Sequence, residues 1–206
     1  MSGKSTVSVV VRDADKIEQR LRKLQSGSET AIKRTVSDFR SRATGWINKG
    51  IKQHYGVDSA GVKSASVSIQ DTSSGSTLAG ISIRYRGRTL TLTHFNMSPK
   101  EAPAGTQGKY IRIPGQTTAV AMVKPPKKYS IKATVIKGQR VEMSSKSFLA
   151  KGLPFQRQGS GRHPVTVIHT LSVPQMIDGK SKDTIEQIIN ENIEKRFEHN
   201  VNQIMK

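Results

Sequence analysis

The chain has 206 residues, of which 34% are hydrophobic and only 5% aromatic, with no cysteine and with 34 Lys/Arg against 15 Asp/Glu. That length suffices for one sizeable domain, which would bury roughly 70% of the surface its unfolded chain exposes. The absence of cysteine excludes disulfides, thiolate metal sites and cysteine nucleophiles, while a net charge of +19 goes well beyond what solubility asks of a small domain and points to an anionic neighbour.

Thr6 to Val11 reads as a strand by its valines. Its apolar run, ended by Arg12 and Asp13, is too short for a signal-peptide core or a membrane span, which predicts a soluble, unexported chain with no membrane contact. Asp13 or Asp15 then caps a short helix carrying Ile17, Leu21 and Leu24 on one stripe, and Gly27 breaks it. Ser28 caps a second, longer helix with Glu29 favourably placed in its first turn. In it Ile32, Val36, Phe39, Ala43, Trp46, Ile47 and Ile51 recur at three- and four-residue steps up to about Tyr55, so Phe39 and Trp46 are expected in the core.

From Gly56 the hydrophobic period changes to two. Ala65-Val67-Ile69, then Leu78 with Ile81-Ile83-Tyr85, then Leu90-Leu92-His94 alternate with polar residues, as half-buried antiparallel strands do. Ser-Ser-Gly-Ser at 73–76 and Arg-Gly-Arg at 86–88 have turn chemistry. Residues 96–128, rich in Pro and Gly, read as a long irregular loop, and loops of that length serve function or disorder. Strand character returns at Tyr129 to Ile136, Val141-Met143 and Phe148-Leu149, followed by a basic hairpin tip from Gln156 to Arg162 and by Val165-Val167.

Asp183 with Glu186 three residues on suggests a capping box for a last helix over 181–204, whose stripe is Ile185, Ile188, Ile189, Ile193, Phe197, Val201 and Ile204. The expected architecture is a single α+β domain: a central antiparallel sheet of about six to eight strands, two N-terminal helices and one long C-terminal amphipathic helix. Its basic β-rich body would span 64–169.

The charge is unevenly placed. Residues 1–60 hold 12 Lys/Arg and 6 Asp/Glu, residues 61–165 hold 17 and 3, and residues 166–206 hold 5 and 6. The middle segment therefore carries most of the excess, and its acids are Asp71, Glu101 and Glu142 alone.

Catalytic motifs fail on inspection. Gly108-Lys109 lacks the rest of a phosphate-binding loop, since position 103 is Pro and Tyr110 follows the lysine. Gly159-Ser160-Gly161 lacks the glycine that a nucleophile elbow needs two residues before its serine, where Gln158 stands. The histidines at 54, 94, 163, 169 and 199 show no metal-ligand spacing. No catalytic residue, metal or cofactor is expected, and the chain reads as a non-enzyme.

What remains is basic. Arg84, Arg86 and Arg88 alternate, so they should project on one face, Lys124, Lys127 and Lys128 crowd a Pro-Pro turn, and Arg157 and Arg162 flank the hairpin tip. Such charges make phosphate contacts, form a solvated face or pair with acidic neighbour subunits, and charge alone leaves these open. Few aromatics lie near them in sequence, which disfavours base stacking.

One stretch looks familiar. Phe148-Leu149-Ala150-Lys151-Gly152, the basic tip, Pro164-Val165-Thr166-Val167 and then Ser172-Val173-Pro174-Gln175-Met176 resemble the closing signature of the bacteriophage minor tail protein Z-like family. The likeness extends over about residues 28 to 206, with Thr170-Leu171 where the family commonly has Gly-Pro. The resemblance implies a structural virion protein that completes the head-proximal end of a long non-contractile tail. Its partners would be its own copies in a ring, a hexamer by analogy with six-fold tail tubes, together with the tail terminator, the tail tube, the head connector and genomic double-stranded DNA. It would be made in the host cytoplasm. Two rivals stand beside this reading: a free, non-sequence-specific DNA- or RNA-binding protein, which the pI near 10.4 suits, and a metal-dependent nuclease built on Asp71, Glu101 and Glu142.

Overall fold

A computed structural model describes residues 5–10, 16, 28–72, 77–78, 80–105, 109–112, 120–124, 128–161 and 163–204, with the backbone alone at 5–10, 28, 109–112 and 120–124. The short helix expected on Ile17, Leu21 and Leu24 and the turn at 73–76 lie outside the described residues. The chain divides into two compact units, one made of Met1–Leu90 with Leu171–Lys206 and the other of Thr91–Thr170. The stretch 64–169 is therefore shared between them.

In the first unit, α1 (Ser28–His54) is the long helix that the spacing predicts. Glu29 meets Lys33 one turn on at 2.8 Å, and this contact holds the Glu29 carboxyl below its usual range. Lys52 and His54 in the last turn suit the negative end of the helix dipole. Val36, Phe39, Ala43, Ile47 and Ile51 are buried, whereas Trp46 is half-buried and tilts against Phe39 at 6.1 Å, at the edge of the core rather than inside it. The buried stripe continues through Ala31 and Thr35, whose hydroxyl donates back to the Ala31 carbonyl.

The partner of α1 is the last helix, which runs antiparallel to it. A Cβ on Gly50 would lie 2.5 Å from Ile185 Cγ1, and toward the other end Asn200 Nδ2 donates to Thr35 Oγ1 at 3.1 Å and to Asp38 Oδ2 at 3.3 Å. Ile185, Ile188, Ile189 and Ile193 are buried, and Phe197, Val201 and Ile204 are half-buried. This helix begins at Lys182, so Asp183 sits in its first turn instead of capping it. The capping box lies earlier. In the short α3 (Val173–Asp178), preceded in chain order by α2 (Ser59–Lys63), Ser172 is the N-cap and Gln175 returns the bond, its side-chain oxygen accepting from Ser172 N–H at 2.8 Å. Pro174 occupies the first turn, where a missing N–H costs nothing, and Met176 is fully buried. The last helix, Lys182–Ile204, is thus α4.

A three-stranded antiparallel sheet completes this unit: β1 (Ser5–Val10), β2 (Ser66–Asp71) and β3 (Ile81–Gly87), with β3 in the middle. Ile81, Ile83 and Tyr85 are buried, and α3 packs on β1 and β3. Val67 and Ile69 share their face but are 38% and 36% exposed, because β2 is an edge strand covered from one side only. Arg-Gly-Arg is not a turn: β3 continues through Gly87, held by register with Ser5 and Thr6 on one side and Ser66 on the other.

The second unit has its own core of Leu92, Met97, Ile131, Ala133 and Leu149, with Tyr129, Val135, Met143 and Ile168 packed around it. Leu90 and Leu92 are buried as the alternation implies, yet Leu92–His94 form a 3-10 turn and not a strand, because Phe95 N–H turns back to the Leu92 carbonyl. The expected loop 96–128 contains a hairpin of β4 (Lys109–Arg112) and β5 (Val120–Lys124). β6 (Lys132–Ala133) and β7 (Val141–Glu142) form a two-residue ladder, and β8 (Ser147–Ala150), β9 (Leu153–Arg157) and β10 (Val165–Val167) form a three-stranded sheet. The class is α+β, but the single central sheet is replaced by separate small ones, since each run pairs within its own unit and several are only two to four residues long.

Candidate nucleic-acid interface

Two basic surfaces stand out, one in each unit. On β3, Arg84 and Arg86 alternate with the buried Ile81, Ile83 and Tyr85 and are exposed, so they share the solvent face of the sheet. Register places Ser68 opposite Arg84 and Ser66 opposite Arg86 on β2, both exposed. Arg88 is exposed but lies beyond the end of the strand. Among the described residues none of these three arginines has an acidic partner. A guanidinium pair flanked by hydroxyls on a flat sheet is a set of donors suited to anionic oxygens.

In the second unit, 13 Lys/Arg face two acids in 80 residues. An open cleft of about 740 Å³ gathers Lys128, Lys146 and Arg157 with Ser130, Ser145 and Ser147. Its remaining walls are Tyr129, Met143, Phe148 and Glu142, the last paired with Lys132 at 3.3 Å. Tyr129 is fixed by its hydroxyl, which accepts from Leu149 N–H at 2.6 Å. Phe148 stacks on Phe155 at 5.8 Å, and the Arg157 guanidinium lies over the Phe148 ring at 5.0 Å.

The β8–β9 turn explains how these groups meet. Lys151 and Gly152 both have positive φ, 51° and 74°, so a two-residue primed turn pairs Ala150 with Leu153, Phe148 with Phe155 and Ser147 with Gln156. One step further, Arg157 N–H donates to the Lys146 carbonyl, which sets the two cations side by side across the strands. Ser147 is only 8% exposed and its hydroxyl has no hydrogen-bond partner, a state that costs about 1–3 kcal/mol.

Of the residues singled out by sequence, Lys128 and Arg157 come together in this cleft. Lys124 belongs to β5, where only its backbone is described, and Lys127 and Arg162 lie outside the described residues. Lys146, Ser147 and Phe148 complete the cleft and are not among the candidates that charge and motif point to. The signal that finds them is the Lys151-Gly152 turn, which fixes the hairpin register and with it the pairing of Lys146 and Arg157. The signature residues serve the fold: Val165 and Val167 lie half-buried in β10 beside an exposed Pro164, while Ser172, Val173, Pro174 and Met176 are buried and Gln175 closes the capping box.

Of the three acids of the nuclease reading, Asp71, its side chain buried, meets Arg40 at 2.6 Å and Glu142 pairs with Lys132. Asp71 belongs to a different unit from Glu101 and Glu142. His54 bonds Thr184 at 2.7 Å. Among the described residues no group of three His, Asp or Glu could hold a metal ion, and no helix is long and apolar enough to cross a membrane. A scan against protein-family models and searches of curated proteins and of solved structures find no match to this chain.

Proposed function

We propose that the chain is a structural subunit of a long-tailed bacteriophage virion, one that completes the head-proximal end of a non-contractile tail and helps join it to the head. It acts without catalysis, as a ring of six copies beside the terminator, tube and connector, with basic surfaces turned to the DNA channel. The observation that carries this reading is the charge of Thr91–Thr170. Among its cations with described side chains only Lys132 has an acidic partner, and so dense an unpaired set needs an anion beside it. The likeness of residues 148–176 to the minor tail protein Z-like signature supplies the context in which that anion is genomic DNA.

The ring is tested by native mass spectrometry of the purified chain, alone and with tail-tube and terminator proteins. Closed oligomers in either sample agree with the proposal. A monomer under both conditions contradicts it and favours the free nucleic-acid-binding protein, which shares the same cations but needs no ring.

A further inference from the structure

We infer that the cleft of the Thr91–Thr170 unit is a phosphate-binding site that takes the backbone of a nucleic-acid strand. The inference rests on the reading that this unit faces nucleic acid, and it names the place and the chemistry of the contact. Lys146 and Arg157 are cross-strand neighbours, an arrangement in which like charges repel, and among the described residues no acid engages either of them. Lys128 adds a third cation, while Glu142, the one acid on the wall, is bound to Lys132. An anionic oxygen in the cleft would relieve this repulsion.

The chemistry favours phosphate over carboxylate. Stacking on Phe148 leaves the Arg157 guanidinium edge available for two-pronged contact with a phosphate. The Phe148–Phe155 pair and Tyr129 put ring surfaces next to the cations, a combination of charge and aromatics that suits a nucleotide chain and gives an acidic peptide little to stack. The cleft volume, about 740 Å³, is also large for a lone phosphate and in the range of nucleotide-sized ligands.

The test is fluorescence anisotropy of the full chain with a labelled oligothymidylate of about ten nucleotides, competed by inorganic phosphate and by polyglutamate. K146Q/R157Q should weaken binding about tenfold or more and lower the slope of log affinity against log salt by about 1.4. Inorganic phosphate should compete only weakly, as expected of a site that takes a polymer; competition as strong as that of the oligonucleotide overturns the strand and leaves a free-phosphate site. If K146Q/R157Q binds as the unaltered chain does while R84Q/R86Q loses affinity, the cleft is wrong and the nucleic-acid role survives on β3. Polyglutamate binding as tightly, and as sensitive to K146Q/R157Q, overturns the phosphate assignment in favour of an acidic peptide. No binding to the oligonucleotide by any form overturns the strand site, and no binding to a labelled DNA duplex either overturns the nucleic-acid role as well.

Discussion

Two glycines in α1 should respond oppositely to the same substitution. At Gly50 an added Cβ would stand 2.5 Å from Ile185 Cγ1 and 3.3 Å from its Cα, against a comfortable carbon separation of about 3.5–4.0 Å. Ile185 is 1% exposed and has no space to retreat, so the α1 and α4 backbones must part. Overpacking of this kind costs about 1–3 kcal/mol, and replacing a helical glycine by alanine returns about 1 kcal/mol of propensity. Gly50→Ala should therefore destabilise by up to about 2 kcal/mol. At Gly45 nothing lies within 4 Å of the new methyl, so Gly45→Ala should stabilise by about 1 kcal/mol. Each kcal/mol moves the melting temperature by roughly 2–4 °C at this chain length, which differential scanning calorimetry resolves. Adding Ile185→Ala to Gly50→Ala should cost less than the two changes separately, with a coupling on the order of 1 kcal/mol. Equal stabilisation by both alanines would refute the close helix contact at Gly50.

Three other substitutions probe the elements that place the surfaces. Tyr85 is buried with an unpartnered hydroxyl, and burial pushes its phenol well above the usual range. The native state therefore holds the Tyr85 proton when an unfolded chain would release it, and this contribution, complete below about pH 10, is lost as pH rises further. Tyr85→Phe should be more stable by about 1 kcal/mol at neutral pH, with an advantage that widens in urea melts above about pH 10; a constant or shrinking difference contradicts the burial. Lys151→Asn places a residue tolerant of positive φ before Gly152 and should stabilise the β8–β9 hairpin by about 0.5–1 kcal/mol in denaturant titrations; no gain argues against the primed turn. Ser172→Ala removes the cap of α3 and should cost about 1 kcal/mol, more than the same change at the exposed Ser145.

Where a pattern was long, it could be read from residues alone. The 27-residue α1 and the isoleucine stripe of α4 stand where their three- and four-residue spacings put them, because a helix of seven turns averages over local exceptions. Short runs were ambiguous. Leu90 and Leu92 are buried as alternation requires, yet the chain between Leu92 and His94 coils, since alternation over so few residues cannot separate a strand from a 3-10 turn. The last helix starts at Lys182, ahead of the Asp183 cap that Asp183 and Glu186 imitate, while the capping box that forms is at Ser172 and Gln175. The cleft was half legible: Arg157 and Lys128 were visible as charges, but their meeting with Lys146 depends on hairpin register and on tertiary folding, which composition does not carry.

The proposed place of this chain is the head-proximal end of a tail, with cations toward DNA. Cryo-electron microscopy of purified virions, with the chain sought in the density between the capsid connector and the tail tube, tests it most directly. A ring of this protein is expected there, with Arg84, Arg86 or the Lys128, Lys146 and Arg157 cleft facing the channel; particles that lack the chain, or a ring that turns these residues away from DNA, would overturn the proposal.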